Sequence, residues 1–250
     1  MSLKSYGFTH KGLIRDNNED SILVENDLKL YAVADGVGGA RYGEVASCLA
    51  VETLKGHIQT NIGNEKRTVG GQNPELSRHG ELLVSAVKES HYSIVSKANK
   101  EKKFAGMMTT VAVVFLDDEK IHIAHIGDSR VYLLREKELL QQTKDHTLLN
   151  YQLDNNLIKE EDASSFPAKN AITHALGMED ELFVEYRKKK FYKDDIYLIA
   201  TDGLTDIVTD EEIKSILAEN DGLEEKTHRL FEKAMEQGGK DNISIILIQT

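Results

Sequence analysis

Four acidic residues stand at the ends of apolar, β-branched runs, and this placement is the main chemical signal in the sequence. They are Asp35, Asp128, Asp202 and Asp241, each beside a glycine or a small polar residue. Carboxylates at strand ends can converge on one point, and a neighbouring glycine lets a backbone carbonyl approach a ligand. Because gathered carboxylates repel one another, such a cluster needs hard cations, and all-oxygen ligation suits Mg²⁺ or Mn²⁺ rather than zinc.

Each of these elements alone has a simpler structural interpretation. An Asp-Gly pair, or the Gly127-Asp128 pair, is typical of a turn. The Asp241-Asn242 pair could be a strand-entry turn, and residues 15–20, which read RDNNED, could be a solvated loop. The sequence contains five such elements, because Asp-Gly pairs occur at both 35–36 and 202–203. All five together are much harder to explain as turns, so the sequence favours one metal site built from distant segments.

The elements that must position these acids follow from the apolar patterns. Periodic runs predict helices around residues 46–58, 83–98, 210–218 and 223–237. Strands are predicted at residues 21–25, 28–34, 110–116, 121–126, 131–135, 196–200 and 243–249. Because strands alternate with pairs of adjacent helices, the pattern favours antiparallel sheets with helices packed outside them.

Two polar segments are predicted as loops. Residues 56–80 are rich in glycine and asparagine, and residues 144–180 have short helical patches and little strand character. The second segment is long enough to be a flap over a site.

Composition limits the class of protein. The chain has 250 residues, which is compatible with a single catalytic domain over residues 1–250. Its 31 basic and 42 acidic residues give a net charge of −11, which argues weakly against nucleic-acid binding. No membrane segment or secretory leader is visible, and a single cysteine fits a reducing cytosol, so a cytoplasmic location is expected.

Two other kinds of site have partial signals in the sequence. Cys48 could be the nucleophile of a cysteine phosphatase, but the arginine needed six residues on is Leu54, and a core thiol is predicted instead. Residues 36–41 are similar to a dinucleotide loop, but Arg41 occupies the third glycine position. His146 could touch substrate, although a structural role is favoured.

Taken together, the motifs resemble those of the type 2C family of metal-dependent serine/threonine protein phosphatases, and specifically its compact bacterial members. The matching segments are GLIRDNNED at 12–20, VADGVGG at 33–39, GMMTT at 106–110, IGDSR at 126–130, DH at 145–146, AITHALG at 171–177, TDG at 201–203 and DN at 241–242. The resemblance spans nearly the whole chain in family order. It implies an α+β fold in which two antiparallel sheets form a sandwich with helices outside both.

The resemblance also implies roles for the site residues. Asp35 would bridge two metal ions, with the Gly36 carbonyl on one of them. Asp202 and Asp241 would complete the first site, and Glu19 would act on the second through water. Together these residues would hold Mg²⁺ or Mn²⁺.

Further roles follow from the same resemblance. Asp128 with Asp202 resembles a third metal site, so two or three ions are expected. Arg15 would bind the substrate phosphate, and a metal-bound water would attack phosphorus. The predicted supports behind these groups are Asp20, Thr110 and Asn242. Val37 stands where many eukaryotic relatives carry a histidine proposed as general acid, so the general acid is unassigned.

The leading hypothesis is therefore an enzyme that hydrolyses phosphoserine and phosphothreonine on other proteins. An opposing serine/threonine kinase is the partner that the family implies. Two alternatives remain open: a catalytically weak metal-binding sensor on the same scaffold, and a phosphatase acting on small phosphate esters.

Overall fold

Two five-stranded antiparallel sheets form the centre of the computed structural model, which describes residues 3–37, 42–63, 76–178 and 182–250. The first sheet has the strand order β1-β10-β9-β6-β7, and the second has the order β2-β3-β4-β5-β8. The strands are β1 Lys4–His10, β2 Asp20–Glu25, β3 Leu30–Asp35, β4 Val111–Leu116, β5 Lys120–Ile126, β6 Arg130–Arg135, β7 Glu138–Gln141, β8 Glu185–Lys190, β9 Ile196–Ala200 and β10 Ile243–Gln249.

The two sheets pack face to face because their inner faces are apolar. Tyr31 and Val33 of β3 meet Ile199 of β9 and Ile246 of β10 in a fully enclosed core between the sheets. Alternate residues of the same strands face outward into two further cores, as expected for a period of two along a strand. The strands are therefore buried on both faces.

Helices cover both outer faces of the sandwich. Their bounds are α1 Gly43–Asn61, α2 Arg78–Lys100, α3 Leu148–Asp154, α4 Asp202–Thr205, α5 Asp210–Leu217 and α6 Leu223–Glu236. The long pair α1 and α2 packs on the second sheet, and α5 and α6 pack on the first. This confirms the predicted α+β sandwich with helices outside both sheets. Among the described residues, no helix is both apolar and long enough to traverse a lipid bilayer.

The predicted loop over residues 56–80 was wrong at both of its ends. Helix α1 continues to Asn61 and α2 begins at Arg78, while residues 64–75 lie outside the described part of the chain. Gly56 sits inside α1 with open space where a side chain would project. A glycine within a helix costs only about 1 kcal/mol, which the packing of α1 on α2 and the sheet outweighs.

Cys48 also differs from its prediction as a core thiol. It lies on the exposed face of α1, and its Sγ is 3.6 Å from Oε1 of Glu52. Ala46, Ser47 and Ala50 form the buried face of this helix instead. Partial burial and the neighbouring Glu52 carboxylate raise the pKa of the Cys48 thiol, which makes it a poor nucleophile.

The predicted flap lies beside the carboxyl-terminal end of β5. Its described part, residues 144–178, contains α3 and a short 3₁₀ helix at Glu160–Ser165. The His146 amide donates to the Gly127 carbonyl and Leu176 pairs with Thr109, so both ends of the segment are tied to the body of the molecule, while Thr147 pairs with Ile172 within the segment. Residues 179 and 180 of the predicted flap lie outside the described residues.

Candidate metal centre

The predicted site residues meet in one cleft of about 610 Å³ at an edge of the sandwich. Asp35 ends β3 of the second sheet, and Asp128 lies between β5 and β6. Asp202 begins α4 directly after β9, and Asp241 precedes β10. The predicted residues on its wall are Arg15, Glu19, Asp35, Gly36, Asp128, Asp202, Asp241 and Asn242. The four strand-end aspartates, which are separated by up to 206 positions (35 to 241), therefore face one space, as their placement in the sequence predicted.

Two threonines fix the backbone around Asp35. The Asp35 amide donates to Oγ1 of Thr110 at 3.1 Å, and the Thr110 amide donates to the Asp35 carbonyl at 2.8 Å. The Thr109 hydroxyl donates to the same carbonyl at 2.7 Å. Thr110 is buried and also pairs with Ser129, one residue after Asp128. Thr110 thus links the segments that carry Asp35 and Asp128.

Gly36 allows three segments to approach closely. A Cβ on Gly36 would lie 2.5 Å from the carbonyl carbon of Gly43, at the start of α1. A Cβ on Gly43 would in turn lie 2.7 Å from Oε2 of Glu19. Only glycine fits such contacts, so the end of β3, the start of α1 and Glu19 come together because both positions lack a side chain.

Asn242 holds the loop that carries Arg15 and Glu19. Its side-chain oxygen accepts a hydrogen bond from the Glu19 amide at 2.7 Å. Its side-chain nitrogen donates to the carbonyls of Lys11 and Asn17 at 3.0 and 2.9 Å. One amide group therefore ties the amino-terminal loop to the segment containing Asp241.

Asp20 is buried behind the cleft and does not line it. Its Oδ2 accepts hydrogen bonds from Ser244 at 2.6 Å and from Thr201 at 2.9 Å. Thr201 directly precedes Asp202, so Asp20 connects β2 of the second sheet with both strands that flank the cleft in the first sheet. The supporting position predicted for Asp20 agrees with this contact pattern.

The acids of the cleft share an electrostatic cost. Burial and the neighbouring Asp20 and Asp202 carboxylates raise the pKa of Asp35 well above its ordinary value. Burial, with Asp202 and Asp145 nearby, raises the pKa of Asp128 to about 8. Burial also raises the pKa of Asp202 to about 6 and that of Asp20 to about 7. Positive charge in the cleft would remove this cost.

The residues fit hard divalent cations. Oδ1 of Asp202, which lines the cleft, is buried and has no hydrogen-bond partner among the described residues. An unsatisfied buried polar atom ordinarily costs about 1–3 kcal/mol, so an oxygen left in this state beside other carboxylates is suited to a cation. The cleft offers carboxylate and carbonyl oxygens without cysteine or histidine among its described lining residues, which matches the ligands that Mg²⁺ and Mn²⁺ prefer.

Arg15 makes a contact that the sequence did not predict. Its guanidinium donates to Oδ2 of Asp241 at 2.7 Å, at the solvent-facing mouth of the cleft. The hydrogen bond to Asp241 raises the pKa of Arg15 further. The group predicted to bind phosphate and a predicted metal ligand are therefore paired with each other.

His146 contacts the turn that precedes Asp128, which is a structural role of the kind favoured from the sequence. The Gly127 amide donates to Nδ1 of His146 at 3.3 Å, and the His146 amide donates to the Gly127 carbonyl at 2.9 Å. The His146 ring stacks on His125, and its Nε2 lies 3.7 Å from Oε2 of Glu185. These contacts clamp the turn before Asp128, and the Asp145-His146 pair was the only sequence signal for them.

Arg130 and Asp145 form a second support that sequence reasoning missed. Nε and Nη2 of Arg130 donate to the Asp145 carboxylate at 2.9 and 2.7 Å, and the pair is largely buried. The Arg130 side chain also donates to the Tyr132 hydroxyl at 3.0 Å. This pair joins the start of β6 to the start of the flap, so it fixes the segment that follows Asp128.

Comparisons with known proteins agree with this fold and site. A family model described as protein phosphatase 2C matches residues 14–247. The chain is 35% identical over 244 residues to the serine/threonine phosphatase stp of Listeria welshimeri, covering 96% of this chain and 93% of that protein. The crystal structure of the Mycobacterium tuberculosis serine/threonine phosphatase PstP/Ppp matches with a TM-score of 0.84 and 34% identity, covering 99% of this chain and 98% of that one.

A related structure contains metal. The catalytic domain of the serine/threonine protein phosphatase PstP, crystallised in complex with two manganese ions, matches with a TM-score of 0.81 and 33% identity, covering 99% of this chain and 97% of that one. The two-sheet sandwich and the acidic cleft define the class of metal-dependent hydrolases to which these relatives belong. The chain belongs to the protein phosphatase 2C family.

Proposed function

We propose that this enzyme hydrolyses phosphoserine and phosphothreonine monoesters on proteins. The observation that carries the proposal is the convergence of Asp35, Asp128, Asp202 and Asp241 with Arg15 at one cleft. Relatives at 35–36% identity, which are named serine/threonine phosphatases, support the substrate class. The whole chain would act as one catalytic domain on phosphorylated proteins. An opposing kinase and a cytoplasmic location remain predictions.

Two or three Mg²⁺ or Mn²⁺ ions would be held by the acids of the cleft. Asp35, Asp202 and Asp241 would supply carboxylates, Gly36 a carbonyl, and Glu19 a contact through water. Asp128 with Asp202 would hold a third ion. The two manganese ions of the related PstP structure support this metal class. When bound, such ions neutralise the carboxylates and the phosphate and supply the Lewis acidity that lowers the pKa of water.

The chain's own residues would bind and orient the substrate. The Arg15 side chain is about 45% exposed at the mouth of the cleft, where a phosphate attached to a protein surface could reach it. Its planar fork can donate to two phosphate oxygens at once. Asn242 fixes the loop that carries Arg15, and Thr110 fixes the backbone of Asp35. Catalysis by this site is mainly positioning and charge stabilisation, as for phosphoryl transfer in general.

Hydrolysis of phosphopeptides tests the proposal. We expect Mn²⁺-dependent release of phosphate from phosphothreonine and phosphoserine peptides, abolished by EDTA and by Asp35→Asn or Asp202→Asn. His57→Gln is the matched control, because His57 lies on α1 roughly 20 Å from Gly43 and its ring hydrogen-bonds to Ser85, away from the cleft. Absence of metal-dependent turnover in the native chain would favour a binding or sensor role. Turnover of small esters without phosphopeptides would contradict the substrate class.

A further inference from the structure

Three potential metal ligands meet at the end of the second sheet that lies away from the acidic cleft. They are His79 of α2, Asp117 of the β4–β5 turn and His122 of β5. Their ligand atoms all lie within 4.8 Å of one another. Strand β4 separates this group from Thr110 by roughly 20 Å, at about 3.3 Å per residue, so it is independent of the acids described above.

The Asp117 carboxylate is held with one oxygen turned towards the two histidines. Its Oδ1 accepts hydrogen bonds from the amides of Glu119 and Lys120 at 2.8 and 2.6 Å. Its Oδ2 lies 2.8 Å from Nε2 of His122 and 3.8 Å from Nδ1 of His79. The turn therefore presents Oδ2 to both histidines in a fixed direction. Although burial opposes it, hydrogen bonds from His122 and the backbone lower the pKa of Asp117 to about 2, so this oxygen is anionic.

His122 is oriented from its other side. Its Nδ1 lies 2.8 Å from the hydroxyl of Tyr186 on β8, and its side chain is completely buried. A Cβ on Gly80 would lie 2.3 Å from that hydroxyl, so glycine at this position allows Tyr186 to reach His122. A histidine that uses one nitrogen for an outer hydrogen bond and keeps the other for a metal is the usual arrangement in protein metal sites. Burial lowers the pKa of His122, which is the direction that favours metal binding over protonation.

The spacing and the chemistry of the donors suit zinc. Tetrahedral ligands at about 2.0–2.1 Å from zinc lie roughly 3.3 Å apart, and the two measured separations of 2.8 and 3.8 Å bracket that distance. Two imidazoles and one carboxylate are ligands that zinc accepts, whereas Mg²⁺ prefers oxygen alone. The His79 side chain is 38% exposed, which leaves a route for the ion and room for a water as fourth ligand.

We propose that His79, Asp117 and His122 form a zinc site that fastens the amino-terminal end of α2 to the β4–β5 turn. The site is structural and separate from the proposed phosphatase chemistry. Zinc would replace the contact between His122 and Asp117 and add a bond to His79, so it would stabilise the junction between α2 and the second sheet.

Zinc binding to metal-free protein tests the site. The titration uses Asp35→Asn/Asp202→Asn protein, in which the acidic cleft is disabled, with a chromophoric chelator as competitor and thermal denaturation as the second readout. We expect one zinc ion per chain and a higher Tm on binding. His79→Gln should weaken zinc binding by at least about 100-fold, since losing an outer partner of a ligand already costs 10–100-fold. Tyr186→Phe should weaken binding by about 10- to 100-fold.

Further variants serve as controls for the zinc titration. His57→Gln should leave zinc affinity unchanged, because His57 lies elsewhere on α1. His79 is partly exposed, so its variant should fold even where a change at the buried His122 does not. The proposal is overturned if no zinc binds, or if His79→Gln and Asp117→Asn bind zinc as tightly as their parent. It is also overturned if the zinc is lost only with His146→Gln, which would assign it to the cluster of His125, His146 and Glu185.

Discussion

The guanidinium of Arg15 and the carboxylate of Asp241 hold each other through a hydrogen bond of 2.7 Å at the mouth of the acidic cleft. Their side chains are 45% and 37% exposed, so solvent screens the pair. An ion pair of this kind is worth only about 0–1 kcal/mol. Because the pair is weak, breaking it so that Asp241 can bind a cation and Arg15 a phosphate would cost little free energy.

Arg15 variants should separate charge from geometry. Arg15→Ala should lower kcat/KM for a phosphothreonine peptide by about 10- to 100-fold, the loss of a charged hydrogen-bond pair. Arg15→Lys should recover part of this loss, because it keeps the charge without the planar fork. Steady-state kinetics with saturating Mn²⁺ measures both, and Tm should stay close to that of the native protein. A kcat/KM for Arg15→Ala within twofold of native would remove Arg15 from substrate binding.

Asn242 should contribute to the stability of the folded protein. Asn242→Ala removes three hydrogen bonds to the loop around Lys11, Asn17 and Glu19, and we expect a loss of about 1–3 kcal/mol in the free energy of unfolding. Urea denaturation measures this change. Asn155→Ala is the control, since that exposed side chain bonds only to the Tyr151 carbonyl in the described structure and should change stability little. Equal effects of the two variants would contradict the bracing role of Asn242.

Removal of metal should make stability depend on pH with a definite sign. The pKa of Asp128 is raised to about 8 and that of Asp20 to about 7. The stability that these acids contribute in the protonated form is therefore fully present below about pH 4 and is lost as pH rises through 7 and 8. Buried histidines with lowered pKa values, such as His122 and His125, make stability increase with pH, but only below about pH 6.5. In EDTA, the free energy of unfolding should therefore fall between pH 7 and pH 8.5.

Chemical denaturation at several pH values measures that fall. The slope should be at most about 1.4 kcal/mol per pH unit for each group, and Asp128→Asn should make it shallower. Mn²⁺ should stabilise the protein more at pH 8.5 than at pH 7, because bound cations favour the deprotonated acids. If stability in EDTA instead stays constant or rises across this interval, then the pKa values of Asp128 and Asp20 are not raised in the metal-free protein.

His146 should act through the turn that precedes Asp128. His146→Ala leaves the buried Gly127 amide without its acceptor, so we expect a loss of about 1–3 kcal/mol in stability and weaker Mn²⁺ binding. Isothermal titration with Mn²⁺ and urea denaturation measure the two effects. His57→Ala removes an equivalent ring far from the cleft and should leave Mn²⁺ affinity unchanged. If the two variants bind Mn²⁺ alike, His146 does not position Asp128.

The sandwich could be predicted because its central strands are strongly apolar. Residues 110–116, 121–126 and 243–249 were each predicted as strands, and β4 Val111–Leu116, β5 Lys120–Ile126 and β10 Ile243–Gln249 agree closely. Strand β1 Lys4–His10 could not be predicted in the same way, because it is only partly buried and contains Gly7. Its pairing with β10 across most of the chain supplies the stability that its own sequence does not.

The contents of the site were predictable, but its contacts were not. Strand-end aspartates identified the acidic cleft, because a residue type and its place on a strand can both be read from sequence. The pairing of Arg15 with Asp241 and the grouping of His79 with His122 depend on tertiary structure. The bonds of His122 to Asp117 and Tyr186 join residues from a turn and from another strand, so they too depend on tertiary structure. Nothing in the sequence indicated that His79 would join them.

Anomalous diffraction from crystals soaked in Mn²⁺ would show whether the acidic cleft holds the metal ions. We expect two or three manganese peaks in the cleft, each about 2.0–2.3 Å from oxygens of Asp35, Asp202, Asp241, Asp128 or Gly36, and loss of the peaks at the two sites that share Asp35 in Asp35→Asn crystals. Manganese peaks elsewhere on the protein, or a cleft without manganese at concentrations that support phosphate release, would contradict it.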